Sequence, residues 1–290
     1  MASPDNPQLE QQPLENVELQ RTPAGPDPTA TAIVAPGPTA PPIENPVWSG
    51  WDVLLIALLT FVTMVVLQLG IPVLAMWAWY PHEKWLAVAQ KPSLLLIEQF
   101  LIYATVAAFM AMLVEGKYHV PFWRTIRWNW PRAGWKFLAL GGVTLIVLGM
   151  LERVLPMPKE TPFERLFDRP RDSYVLAIIA VSFAPLLEEL FFRGFMYPVL
   201  ARRIGAGWAI ALTALPFGLV HLPQYGWAWG VALVIVLVGV VCGVVRAATG
   251  SVGASFLVHA GYNGAQMLIL VLVTRGFTHM PKGLLECFSG

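Results

Sequence analysis

Three short patterns in this chain set polar side chains where hydrocarbon is expected. The run Pro185-Leu186-Leu187-Glu188-Glu189-Leu190-Phe191-Phe192-Arg193 holds two adjacent carboxylates one turn before a guanidinium. Phe217-Gly218-Leu219-Val220-His221 closes an apolar stretch on an imidazole. His259-Ala260-Gly261-Tyr262-Asn263 places an imidazole and a carboxamide four residues apart, on one helix face. A charged group at bilayer depth costs about 2.5–3.5 kcal/mol even on the lenient insertion scale, so it persists where it is paired, hydrated or used.

Glu189 and Arg193 have the i, i+4 spacing of a helical ion pair. Glu188 is turned about 100° away from Glu189, which leaves its carboxylate for another surface. Pro185 loosens the turn before the two acids and helps to aim them. The alanine and glycine between His259 and Asn263 leave room for a neighbouring helix.

A carboxylate beside an imidazole can take a proton from water and direct the hydroxide at a carbonyl. A second imidazole with a carboxamide can donate to the resulting oxyanion. Glu188 with His221 fits the first role and His259 with Asn263 the second, while Glu189 and Arg193 orient helices. The competing use is zinc on Glu188, His221 and His259, since two histidines and a carboxylate leave one position open. No HExxH occurs, so the usual helical zinc motif is absent. No other cofactor is expected.

Other polar residues read as structural. Glu98 is a lone acid that pairs with a neighbour or faces a water-filled cavity. Arg246 is expected to snorkel to the surface. Ser182 and Ser255 lack the partners a nucleophile needs. Cys242 and Cys287 give no disulfide framework, and Cys242 reads as a packing thiol.

These groups need long apolar elements to carry them. Hydrophobic residues make up 56% of the 290 and charged ones 13%, with a mean hydropathy of +0.60. A water-soluble domain of this size needs far more charge. Seven apolar segments follow, near 51–79, 93–114, 135–155, 173–200, 207–221, 227–245 and 253–273. Pro72 is a point at which the first could divide, giving eight. The expected fold is therefore an all-α, polytopic transmembrane helical bundle of about seven or eight helices. Tryptophans cluster at the segment ends, as aromatic belts do. The near-neutral net charge of +1 gives no sign of a nucleic-acid partner.

Residues 1–50 differ in kind. They hold 11 of the 25 prolines, one cation (Arg21) and six acids. The expected domains are a disordered Pro-rich tail over 1–47, N-terminal transmembrane helices and loops over 48–172, a core over 173–275 and a C-terminal tail over 276–290. Lys117, Arg124, Arg127, Arg132 and Lys136 between the second and third segments place that loop, and with it the N-terminus, in the cytoplasm.

If the fourth to seventh segments alternate in direction, Arg202, Gly207 and Gly250 lie near one membrane surface. Counting inward at 1.5 Å per residue, Glu188 and His221 lie about 21 Å deep, Asn263 about 20 Å and His259 about 14 Å. Polar groups from three helices thus converge on roughly one level.

At these residues the chain resembles the CPBP (ABI) intramembrane proteases. Glu188-Glu189-x-x-x-Arg193, Phe217-x-x-x-His221 and His259-x-x-x-Asn263 match that family's three motifs in order. The family includes the CAAX prenyl endopeptidase called Ras-converting enzyme, and proteins tied to lysostaphin resistance and bacteriocin immunity. The resemblance covers about residues 173–275. It implies a glutamate-dependent endopeptidase whose all-helical core opens toward the cytoplasmic side. It also implies that Glu188 is the base, His221 its partner, His259 and Asn263 the oxyanion pair, and Glu189 and Arg193 supporting residues. Implied partners are the lipid bilayer and a membrane-embedded or lipidated peptide substrate, including a prenylated CAAX tail. Relatives have also been discussed as metalloproteases, which keeps zinc open. The rival reading is a non-catalytic scaffold or small transporter that binds an ion or peptide at the same cluster; the internal repeat common in transporters is missing.

Overall fold

The computed structural model describes residues 44–158, 161–167 and 170–279, within the unit Pro41–Gly290. Most of the tail expected over 1–47, and the stretch from 280 onward, lies outside the described residues. The helices are α1 (Gly50–Ala78), α2 (Trp85–Ala89), α3 (Pro92–Lys117), α4 (Phe122–Thr125), α5 (Gly134–Glu152), α6 (Pro170–Ile204), α7 (Ala206–Leu219), α8 (Trp229–Thr249) and α9 (Val252–Val273). No strand occurs among the described residues. The chain is an all-α helical bundle. Six helices (α1, α3, α5, α6, α8 and α9) are long and apolar enough to cross a membrane.

Pro72 does not divide the first segment, and α1 runs through it unbroken. Ile71, Ala75 and Met76 around the proline pack against Val88 of α2 and Leu94 of α3, which holds the turn that lacks a donor. The fifth segment is short. With 14 residues, α7 covers about 21 Å at 1.5 Å per residue, less than the roughly 30 Å of hydrocarbon. His221 follows directly at its C-terminal end.

The start of α1 is pinned twice. Ser49 and Asp52 form a capping box, and Asp52 also accepts from Lys117 and Tyr118 at the end of α3, both at 2.6 Å. Just before it, Trp48 stacks on Phe195 and donates to the Phe195 carbonyl. Glu44 accepts from Arg127 and Arg246, and Arg202 donates to Asn45 and Pro46. Arg246 therefore does not snorkel. It is 1% exposed, because Glu44 and the Arg193 carbonyl meet its guanidinium inside the protein.

Close backbone approaches set the height of the site helices. A Cβ on Gly261 of α9 would strike the Leu138 backbone of α5, and one on Gly141 would strike Val258 and Tyr262. A Cβ on Gly218 of α7 would strike Ala232 and Val236 of α8. Small residues let these pairs touch main chain to main chain.

Helix α6 is irregular in a repeated way. It widens into π turns at Ile179–Phe183 and Leu190–Met196. In the first, the Ala184 N–H bonds to the Ile179 carbonyl, and the following residue, Pro185, has no N–H to give. The Ala180 carbonyl is left without a donor in its own helix. In the second, the Tyr197 N–H bonds to Phe192 and Pro198 follows, so the Arg193 carbonyl is left the same way. Each vacancy is filled from another helix: Asn263 of α9 donates to Ala180 at 2.8 Å, and Arg246 of α8 donates to Arg193 at 3.2 Å.

Candidate active site

The stretch Ala184–Glu189, between the two π turns, carries both acids. Arg193 Nη1 donates to Glu189 Oε1 at 2.8 Å, with both side chains fully buried. Its Nη2 donates to the Gly239 carbonyl of α8 at 2.7 Å. The i, i+4 pair expected from the sequence is thus present, and it has a third member. His259 Nδ1 lies 3.0 Å from the same Glu189 oxygen. Glu189 bridges a guanidinium and an imidazole, joining α6 to α9.

Glu188 points to a different set of groups. Its Oε1 lies 3.9 Å from His221 Nε2 and its Oε2 lies 3.7 Å from His259 Nε2. Both separations exceed direct hydrogen-bond length, yet each leaves a ring nitrogen and a carboxylate oxygen close enough to share one small molecule. Tyr103 of α3 donates to Glu188 Oε1 at 3.2 Å. The Glu188 side chain is 17% exposed and that of His221 16%, whereas Glu189 and Arg193 have no exposure. One acid is sealed and the other is reachable.

The hydrogen bonds fix the ring tautomers. His221 Nδ1 faces the Phe217 carbonyl at 2.7 Å, an acceptor only, so Nδ1 carries the proton. His259 Nδ1 faces the Glu189 carboxylate held by Arg193, and the same holds. In both neutral rings Nε2 is then a lone pair aimed toward Glu188. For His259 Nε2 to donate, its ring must take a second proton, and Glu188 and Glu189 stand on either side to balance that charge.

Asn263 shares a helix face with His259, as expected, and spends one Nδ2–H on Ala180. Its second N–H and its carbonyl oxygen are the groups left for a ligand. Tyr225, on the turn between α7 and α8, also lies near the site. Burial pushes its phenol well above the ordinary value, and the Glu188 charge adds to the rise. Glu98 is buried at 5% exposure. Ser182 and Ser255 return their hydroxyls to the carbonyls of Ile178 and Val252.

A trio of possible metal donors lies within 4.8 Å of one another: Glu189, Cys242 and His259. Arg193 and His259 both engage Oε1 of the Glu189 carboxylate, and Oε2 is buried without a hydrogen-bond partner among the described residues; the Arg193 cation 2.8 Å from Oε1 would repel a second cation there. In the trio raised from the sequence, the two rings approach different oxygens of Glu188.

All six residues singled out in the sequence lie on residues 170–265. That stretch matches the family described as type II CAAX prenyl endopeptidase, Rce1-like. Residues 170–265 are an Rce1-like domain. No curated protein and no solved structure matches the chain. The Rce1-like domain runs from the start of α6 into α9, so α1 to α5 lie outside it, and so does Tyr103. With six membrane-length helices the chain is a multi-pass integral membrane protein, and its residues 170–265 are similar to CAAX-type proteases at the family level. Tyr103 and the Glu189–His259 bond escaped the sequence reading. A tyrosine in an apolar span passes for packing, and a bond between residues 70 apart leaves no local spacing.

Proposed function

We propose that the chain is an intramembrane endopeptidase in which Glu188 activates water against a peptide bond of a membrane-associated, CAAX-type lipidated substrate. The observation that carries this reading is the division between the two adjacent acids. Glu189 is bound to Arg193 and His259, whereas Glu188 has no cation in direct contact and is flanked by two imidazole nitrogens.

In this reading a water sits between Glu188 and His221. Glu188 removes one of its protons as the oxygen attacks the substrate carbonyl, and the neutral His221 Nε2 accepts a hydrogen bond from the other. The doubly protonated His259, balanced by Glu189, and the free N–H of Asn263 donate to the tetrahedral oxyanion. Collapse breaks the C–N bond, and Glu188 returns its proton to the leaving amine. Arg193 keeps Glu189 charged and in place. No metal enters these steps. The basic end that carries Lys117, Arg127, Arg202 and Arg246 faces the cytoplasm, together with the start of α1.

The test is cleavage of a farnesylated CAAX peptide by purified wild-type and Glu188→Ala protein. The variant is expected to lose about 10²–10⁴-fold in kcat, the range for positioned acid–base groups, at an unchanged melting temperature. A zinc chelator is expected to leave the wild type active. Equal cleavage by Glu188→Ala would overturn the assignment, and chelator-sensitive cleavage would restore zinc on Glu188, His221 and His259.

A further inference from the structure

We propose that Tyr103 is a positioning residue for the reaction, contributed to the Rce1-like domain from outside its boundaries. It holds Glu188 Oε1, the carboxylate oxygen on the His221 side, in place for the water that the two share. The inference rests on Glu188 being the base.

An ionised carboxylate accepts hydrogen bonds and cannot donate them. His221, and His259 before it takes the second proton that the oxyanion role requires, aim a lone pair at Glu188, because their Nδ1 protons are committed to Phe217 and Glu189. Two lone pairs facing a carboxylate stabilise nothing. The phenol of Tyr103, 3.2 Å from Oε1, supplies a donor from a third direction. Partial burial makes a carboxylate without donors costly, so this O–H matters more at 17% exposure than it would in water. The phenol is itself ordered, with the Gln99 amide beside it one turn earlier on α3.

The geometry also breaks the symmetry of the carboxylate. Oε1 receives the phenol and lies on the His221 side, while Oε2 lies on the His259 side with no donor. The water shared by Oε1 and His221 gives its proton to Oε1, which can accept from the phenol and from the water on separate lone pairs.

A purely architectural role, in which Tyr103 ties α3 to α6, predicts something different. It would change melting temperature without changing turnover per folded molecule. The groups facing Glu188 are His221 and Tyr225 from the α7–α8 turn, His259 from α9, Cys242 from α8, the Glu189–Arg193 pair from α6 and Tyr103 from α3. None of the others donates to Oε1.

The experiment compares wild-type, Tyr103→Phe and Glu188→Ala full-length protein on the same farnesylated CAAX peptide. Tyr103→Phe deletes one O–H and keeps the ring. Its kcat is expected to fall about 10–100-fold with KM within about twofold, since the interaction acts on the chemical step rather than on binding. Phe100→Leu, a change at an exposed position of the same helix, is expected to leave kcat unchanged. A wild-type kcat in Tyr103→Phe, with Glu188→Ala inactive, would overturn this proposal and leave the water-activating role of Glu188 standing. An active Glu188→Ala would remove both. If the phenylalanine variant does not fold, 3,5-difluorotyrosine at position 103 gives a stronger donor of the same shape. It is expected to extend activity to lower pH, and an unchanged rate profile would count against the proposal.

Discussion

Helices α1 and α6 cross the same apolar layer and are built in opposite ways. In α1 the most apolar window is 6% buried, so nearly all of it faces outward. Its backbone hydrogen bonds stay within the helix, and its one irregular residue, Pro72, leaves the helix unbroken. The corresponding window of α6 is 33% buried, and that helix is interrupted twice by π turns that vacate carbonyls. A regular helix satisfies its own backbone and needs nothing from its neighbours. An interrupted one must borrow donors, and here the loans come from Asn263 and Arg246. Polar residues beside the site are thus retained by backbone geometry as well as by chemistry.

The sharpest way to break that contrast is at the sealed ion pair. Arg193→Met leaves Glu189 buried without its guanidinium, which is expected to cost about 3–5 kcal/mol. It should appear as a large drop in thermal stability in detergent, whereas Lys117→Met at the exposed partner of Asp52 should give a much smaller one. The glycines sharpen the comparison next. Gly261→Ala forces a methyl into the Leu138 backbone, where no side chain can yield, and is expected to cost about 1–3 kcal/mol. Gly70→Ala in α1 meets nothing within 4 Å and is expected to be neutral or to stabilise by up to about 1 kcal/mol. A matched pair of melting curves decides it. The smallest loss of stability among the site helices belongs to the borrowed donor. Asn263→Leu orphans the Ala180 carbonyl and is expected to cost about 0.6–1.7 kcal/mol, the span measured for interhelical hydrogen bonds in membranes. Its loss of turnover, measured alongside, should exceed its loss of stability.

The sequence made the spans, the pairing of Glu189 with Arg193 and the meeting of Glu188 with His221 and His259 readable, because each follows from a local period or a residue count. The counting put His259 about 7 Å shallower than Glu188, although their side chains come within 3.7 Å, since it treated every helix as straight, upright and starting at one level. The π turns were hidden because apolar periodicity does not register one extra residue, although Pro185 and Pro198 marked where they end. The shortness of α7 was legible, because the apolar run from 207 to 221 is itself only 15 residues long. Glu44 to Trp48 looked like solvated tail by composition. Their placement depends on Arg127, Arg202, Arg246 and Phe195, all far away in sequence.

The two carbonyls of α6 are tethered by different helices, one near each end of the segment bearing the acids. A twist of α6 about its long axis would sever both tethers together, so the acids keep their compass bearing however the lipid around them flows. Helices α1 and α3 meet α6 through a buried cluster that includes Ile56, Val106, Met110, Leu190 and Phe195. Because α3 carries Tyr103, any displacement of α3 from α6 would draw the phenol off Glu188.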